Sequence, residues 1–289
     1  MRSVDIPGRT GCIRLHVRPA DSTANGDACQ TVRRTDVNAM PNASENVLML
    51  VPARGDSRRL PGKCLRRIGG VPLIGRTICT ARTAANRLAA NVRVVVSTDD
   101  PRIADCARSF DAEVPELRPA DLAEAATPTA AVVRHVLAQL AAAGWPADHV
   151  VLMQPTSPLC AADDVCAAWA AYRRAGGMTT VTVRCGADGT PATAFGLRSD
   201  GVLTRGCEGI SVVLNGAVYV FTPAWVEAGD AITVVEKTQG VIMPPERSVD
   251  VDTATDLARA RVLAARDPRS TDTAPTGAGL QLAGVVETP

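Results

Sequence analysis

Two clusters of residues near opposite ends of the chain have the types and spacing for phosphate chemistry. The first is Asn46 to Lys63, NVLMLVPARGDSRRLPGK, where a continuous apolar run, Val47 to Val51, gives way to a loop carrying Gly55, Gly62 and the cations Arg54, Arg58, Arg59 and Lys63. Glycines let a backbone approach a ligand closely, and a loop leaving the carboxyl end of a parallel strand is where open α/β sheets bind ligands. The cations are then best explained by phosphate. The glycines are too far apart for a Walker A loop, and Cys64 stands where that motif needs a hydroxyl to reach magnesium. Of 31 basic residues only Lys63 and Lys237 are lysines, so a lysine in this loop reads as a site wanting a compact point charge.

The second cluster, Ser248 to Thr253 (SVDVDT), alternates strictly, which puts Asp250 and Asp252 on one face and Val249 and Val251 on the other. Two carboxylates side by side are costly without a cation; an exposed edge strand is the alternative. Thr253 with Asp256 forms a capping pattern for a helix running to about Ala265. Two more polar features interrupt apolar runs. Gln154 to Pro158, QPTSP, follows the run Val150 to Met153, and Asn215-Gly216 lies inside Ser211 to Phe221, either as a close approach to a ligand or as a hairpin turn. Cations that grip a polyphosphate, with two acids that hold magnesium, are the parts that phosphoryl or nucleotidyl transfer requires.

The periodicity supplies elements to position these loops. Val47 to Val51 and Asn91 to Ser97 read as buried strands, with helices from Pro72 to Ala85 and Pro101 to Phe110 and a short strand near Ala112 to Leu117. That order is the signature of a parallel sheet with helical crossovers. A helix over Thr129 to Ala143, a strand at Val150, a helix over Asp163 to Ala175 and a β-branched strand, Thr179 to Arg184, continue it. From Cys185 to Glu208 the pattern weakens into an insertion or hairpin arm. Residues 1–45 are rich in Arg, Asp, Thr, Asn and Gly without a sustained apolar period, and 267–289 are rich in Thr, Pro and Gly, so both read as disordered. The nearly even charges of the first make a nucleic-acid arm the weaker reading, and Met40 is an alternative start of translation.

Composition excludes other classes. A net charge of +1 and 3% aromatic residues do not give the basic, stacking surface of a nucleic-acid binder. No run reaches the length of a membrane span and the N-terminus lacks a signal-peptide core, which leads to the expectation of a cytoplasmic protein. Nine cysteines, an odd number without a CxxC pair, fit reduced thiols, and three dispersed histidines give no zinc spacing.

Taken together, VPARGDSRRLPGK, VVVSTDD, LRPADL, LMQPTSPL, LNGAVYV and SVDVDT resemble, in order and spacing, the acylneuraminate cytidylyltransferases, the synthetases of CMP-sialic acid and related CMP-nonulosonates. The resemblance spans about 46–266 and implies a Rossmann-like nucleotide-diphospho-sugar transferase fold, an α/β architecture with a mostly parallel sheet flanked by helices. It also implies Mg²⁺, CTP and a sugar-acid acceptor as substrates, and a homodimer whose 185–210 arm reaches into the partner's site. Carried over by match, Arg54, Gly55, Ser57, Lys63, Arg118 and Thr129 bind CTP, while Gln154, Arg205, Asn215 and Gly216 bind the acceptor. Asp250 and Asp252 hold the metal, and Arg54, Lys63 and Asp252 are the catalytic set. Cys64 and Cys160 depart from the family's Asn and Arg. The departures leave Kdo or a phosphonate as other acceptors, and a metal-dependent glycosyltransferase or a degenerate nucleotide-binding protein as other readings.

Overall fold

The computed structural model describes residues 45–266 except 89, 187–194, 206–208, 230–232 and 234, together with the backbone of two strands nearer the N-terminus. The chain divides into two units, Met1–Val37 and Asn38–Pro289. In the first, β1 (Arg2–Ile6) pairs antiparallel with β2 (Ile13–Val17), Arg2 opposite Val17. The expectation of an extension without regular structure is corrected at these ten positions. Val4 and Ile6, then Ile13, Leu15 and Val17, alternate with period two, a local signal that the polar surroundings mask. The rest of that extension, and the tail 267–289, lie outside the described residues.

The second unit is built on β3 (Asn46–Pro52), five of whose seven residues are buried. The loop at its end leads through a short ladder of β4 (Arg67–Ile68) and β5 (Val71–Pro72) into α1 (Leu73–Ala85), then β6 (Asn91–Ser97) and α2 (Pro101–Ser109). β6 runs parallel to β3 over its whole length, Asn46 opposite Asn91 and Pro52 opposite Ser97. The strand expected near 112–117 reduces to one parallel bridge, Glu113 to Val95, because Pro115 has no N–H to continue a ladder. α3 (Thr129–Ala142) returns the chain to β7 (His149–Met153), parallel to β3 on its other side.

Alternate residues of β3 enter opposite layers, as the pleat requires. Val47, Met49 and Val51 pack with Ile74 and Ile78 of α1, Ile103 of α2 and, from α4 (Ala162–Arg174), Val165 and Trp169. Leu48 and Leu50 pack with Val133 and Val136 of α3 on the far face. The result is a sheet between two helical layers, in keeping with the α/β fold read from the sequence.

Beyond β7 the sheet becomes mixed. After β8 (Thr179–Cys185), β9 (Phe195–Leu197) and β10 (Leu203–Thr204) comes β11 (Ile210–Phe221), followed by α5 (Pro223–Glu227) and β12 (Thr238–Ile242). The end of β11 pairs antiparallel with β7, its start with β9, and both parts with β8, which carries β12 as a parallel neighbour. Thus the segment expected to be irregular contains β9 and β10, although 187–194 and 206–208 lie outside the described residues. β12, whose TQGVI carries a glycine amid mixed residues, has no clear period and is not legible in the sequence.

Ser248 to Thr253 belongs to no ladder, which overturns the edge-strand alternative; its alternation survives, with Val249 and Val251 buried and Asp250 exposed. The segment runs into α6 (Ala254–Arg266), where one Asp256 carboxylate oxygen accepts from the Asp252 and Thr253 backbone N–H groups at 3.2 and 2.8 Å and from the Thr253 hydroxyl at 2.7 Å. The Thr253 hydroxyl bond, first, holds the Asp256 carboxyl below the usual range despite partial desolvation. Asp256→Ala removes this cap and should destabilise the fold by about 1 kcal/mol, read as a lower urea midpoint with an unchanged slope.

Candidate active site

At the carboxyl ends of β3 and β7 lies a cleft of about 270 Å³ whose walls include Arg54, Ser57, Lys63, Cys64, Arg118, Glu124, Thr127, Thr129, Gln154 and Thr156. Six of the residues expected to bind nucleotide or acceptor therefore share one cavity. Gly62, with φ of 65°, turns the loop into the 3-10 turn Lys63–Leu65 that carries the lysine. A left-handed backbone of this kind favours glycine.

Gly55 is also required by the fold itself. A Cβ there would lie 2.8 Å from Cβ of Asp100, and the Gly55 N–H donates to the Asp99 carboxylate at 3.0 Å. The close approach is to the loop after β6, and it fixes the curve of the cationic loop. Asp99, at the strand end marked by VVVSTDD, thereby positions the cationic loop.

Arg118 is 7% exposed. It donates through Nε to the Ser97 hydroxyl at 3.1 Å and through Nη2 to the Ser97 carbonyl at 2.5 Å. Burial lowers its pKa, and Asp99 partly offsets this. A guanidinium so held is a fixed positive wall. Thr129 opens α3, and with Val132 it turns the first helical turn toward the cleft, where the orphan N–H groups of a helix start favour an anion. Cys64 is buried, and burial pushes its thiol up to about 11, so it lines the cleft as a neutral group. The six cysteines among the described residues are free thiols, as expected.

The carboxylates meet the loop from the other end of the chain. Lys63 Nζ lies 2.8 Å from Oδ1 of Asp252 across 189 positions, and Arg59 Nη2 lies 2.7 Å from Oδ2. Beneath them Leu60 packs with Val249, Val251 and Leu257. Val251 also donates its N–H to the Thr156 carbonyl at 2.7 Å, tying SVDVDT to the QPTSP loop. Desolvation raises the Asp252 carboxyl, but the bond and charge of Lys63, joined by Arg59, hold it below its ordinary value. Asp250 is displaced the other way, by desolvation first and then by the neighbouring Asp252, with the Thr156 hydroxyl partly offsetting both. Two neighbouring acids, offering oxygen donors only, fit Mg²⁺, a cation held by one or two carboxylates together with substrate phosphates. Among the described residues no group of three or more His, Cys, Asp or Glu could form an all-protein cage.

Two expected acceptor residues are placed elsewhere. Asn215 is 5% exposed and its amide is consumed: Oδ1 accepts from the Thr182 hydroxyl at 2.7 Å and the Ala217 N–H at 3.2 Å, and Nδ2 reaches the Ser248 hydroxyl at 3.1 Å. Asn215 therefore shapes the strand and does not present its side chain to a ligand. Neither is Asn215-Gly216 a hairpin turn. It is an irregularity inside β11, where the register against β8 shifts between Leu214 and Tyr219 and Gly216 has φ of 74°. The Ala217 carbonyl beyond it accepts from Gln154 N–H at 3.1 Å, so the bulge supports Gln154, and a Cβ at Gly216 would meet nothing within 4 Å. Arg205 stands exposed after β10 and is not part of this cleft.

Residues 48–190 match the family model described as cytidylyltransferase. Among curated relatives, CMP-N,N'-diacetyllegionaminic acid synthase of Legionella pneumophila is 41% identical over 112 residues, 39% of this chain and 47% of the relative. Pseudaminic acid cytidylyltransferase of Campylobacter jejuni is 32% identical over 114 residues, again 39% and 47%. The 3-deoxy-manno-octulosonate cytidylyltransferase of Rhodopseudomonas palustris is 48% identical over only 68 residues, 23% of this chain and 25% of the relative. The chain spans about half the length of the first two. In fold it is similar to CMP:2-keto-3-deoxy-manno-octonic acid synthetase complexed with CTP (TM-score 0.58, 19% identity, 77% of this chain and 99% of the other). It is also similar to 4-diphosphocytidyl-2C-methyl-D-erythritol synthase (TM-score 0.51, 16% identity, 77% and 99%). Among the described residues no helix is long and apolar enough to cross a membrane.

The opposite shifts of the two acids give opposite expectations. Asp252, with its folded-state pKa lowered, contributes stability that is present above the unfolded carboxylate value of about 3.9 and lost as pH falls through the folded value. Asp250, with its pKa raised, costs stability once pH rises through its folded value. Asp252→Asn should therefore lower the melting temperature at pH 7 and flatten its fall below about pH 4, whereas Asp250→Asn should leave it equal or higher; calorimetry across pH checks both.

Proposed function

We propose that the protein transfers CMP from CTP to the anomeric hydroxyl of a 2-keto-3-deoxy sugar acid of the nonulosonate type, giving the CMP-sugar and pyrophosphate. The observation that carries this reading is the meeting of Lys63 with Asp252 beside a cleft walled by Arg54, Ser57 and Arg118. It joins the cationic loop to Asp252, one of the two neighbouring acids. The relatives named for legionaminic and pseudaminic acid match this chain over longer stretches than the octulosonate enzyme does, which favours a nonulosonate over Kdo.

In this reading Arg54 and Lys63 hold the triphosphate and steady the pyrophosphate as it leaves, an electrostatic contribution made by groups already in place. Arg118 and Thr129 bound the cytidine side, and Ser57 offers a hydroxyl to the phosphates. Gln154, braced by Ala217, donates to the acceptor, with Gly216 leaving open space beside it. The acceptor hydroxyl attacks the α-phosphorus; a new P–O bond forms as the bond to the bridging oxygen of pyrophosphate breaks, and the hydroxyl proton leaves to solvent. Mg²⁺ held by Asp250 and Asp252 would neutralise charge on the transferring phosphoryl group and acidify a bound water. Arg205, exposed on the arm of its own chain, suits a contribution to the site of a second copy in a homodimer.

The test is pyrophosphate release from CTP with Mg²⁺ against sialic, legionaminic, pseudaminic and Kdo-type acids and phosphonates. Turnover is expected with a nonulosonic acid. Asp252→Asn should abolish it with the fold intact, and Lys63→Ala should lower kcat/KM by about 10²–10³-fold. No pyrophosphate from any acceptor, with CTP still bound, would point instead to a nucleotide-binding protein without transferase activity.

A further inference from the structure

Both carboxylate oxygens of Asp252 are taken by side chains of the cationic loop. Lys63 holds Oδ1 at 2.8 Å and Arg59 holds Oδ2 at 2.7 Å. The two cations differ in setting. The Lys63 side chain is 16% exposed, whereas that of Arg59 is 69% exposed. Arg59 is anchored only at its tip, and its neighbour along the chain, Leu60, is fixed in the apolar cluster with Val249 and Val251. The backbone that carries Arg59 is thus firm, while its side chain lies in solvent and holds Asp252 by the guanidinium.

A divalent cation that binds Asp252 meets like charge there, because Lys63 lies on Oδ1 and the exposed Arg59 on Oδ2. We propose that Arg59 is a place-holder for the metal: it neutralises Asp252 while the cleft is empty and gives up that oxygen when a nucleoside triphosphate draws the guanidinium to its phosphates. The metal site is then completed only after nucleotide binds. This rests on the nucleotidyl-transfer reading and adds an order of assembly to it. A guanidinium matches phosphate and carboxylate geometry equally well. A triphosphate carries several negative charges against the single one of Asp252, so the exchange favours the nucleotide. Lys63 keeps Oδ1 throughout and preserves the link between loop and acid.

The competition can be read without turnover, by titrating Mn²⁺ into the full chain with calorimetric or electron-paramagnetic detection, with and without CTP and with no acceptor present. Wild type is expected to bind Mn²⁺ weakly alone and more tightly with CTP. Arg59→Ala should bind Mn²⁺ about threefold to fivefold more tightly than wild type in the absence of nucleotide, the range set by an exposed ion pair. Arg59→Lys should restore weak binding, and Asp252→Asn should erase the gain made by Arg59→Ala. The exposure of Arg59 makes a folding defect no explanation for the result. An Mn²⁺ affinity unchanged in Arg59→Ala, or a gain that persists with Asp252→Asn, would overturn the place-holder role even with CTP binding intact. Failure of CTP to bind in the presence of chelator would likewise overturn the order of assembly, whereas failure of CTP to bind with the metal present would overturn the functional reading.

Discussion

The structure depends on one junction, where the loop after the first core strand is fastened to the segment ahead of the last helix. The fastening is apolar below and ionic above. Leu60, Val249, Val251 and Leu257 form a common cluster, and Lys63 and Arg59 close over Asp252. The apolar layer supplies most of the driving force, since burying a leucine or valine side chain stabilises by about 1.5–3 kcal/mol, whereas partly exposed ion pairs contribute little. The ion pairs set register: they decide which carboxylate faces the loop and at what distance.

A second constraint sits in β11. One strand pairs with β7 at one end and β9 at the other, with β8 alongside both. To do so it breaks register at Asn215-Gly216, and the buried amide of Asn215 satisfies the groups exposed by that break. The result reaches the cleft through Ala217 and Gln154. The Asn215 side chain is therefore a support for the strand, acting one strand away from the cleft.

The electrostatics of the cleft follow from these two supports. Arg118 is held rigidly by Ser97, Arg54 lies open to solvent, and Lys63 is shared with Asp252. Positive charge fixed before a substrate arrives is what makes such a wall effective for phosphate, because little reorganisation is needed on binding. Among the described residues that line the cleft, Glu124 is the acid.

Much of this was already present in the residues. The strands β3, β6 and β7, the helices between them, the α6 cap of Thr253 and Asp256, and the residues of the cationic loop are all local patterns, written in periodicity and turn chemistry. What the sequence could not decide is whatever requires two distant segments to meet. That Gly55 is small for Asp100, that Asn215 is spent inside β11, that Arg205 lies off the cleft, that Asp99 holds the cationic loop, that Arg59 meets Asp252 and that Thr156 bonds Asp250 are facts of long-range contact. The physical reason is that a residue's type states which bonds it can make, while burial and approach, set by packing of the whole chain, determine which of them it does make.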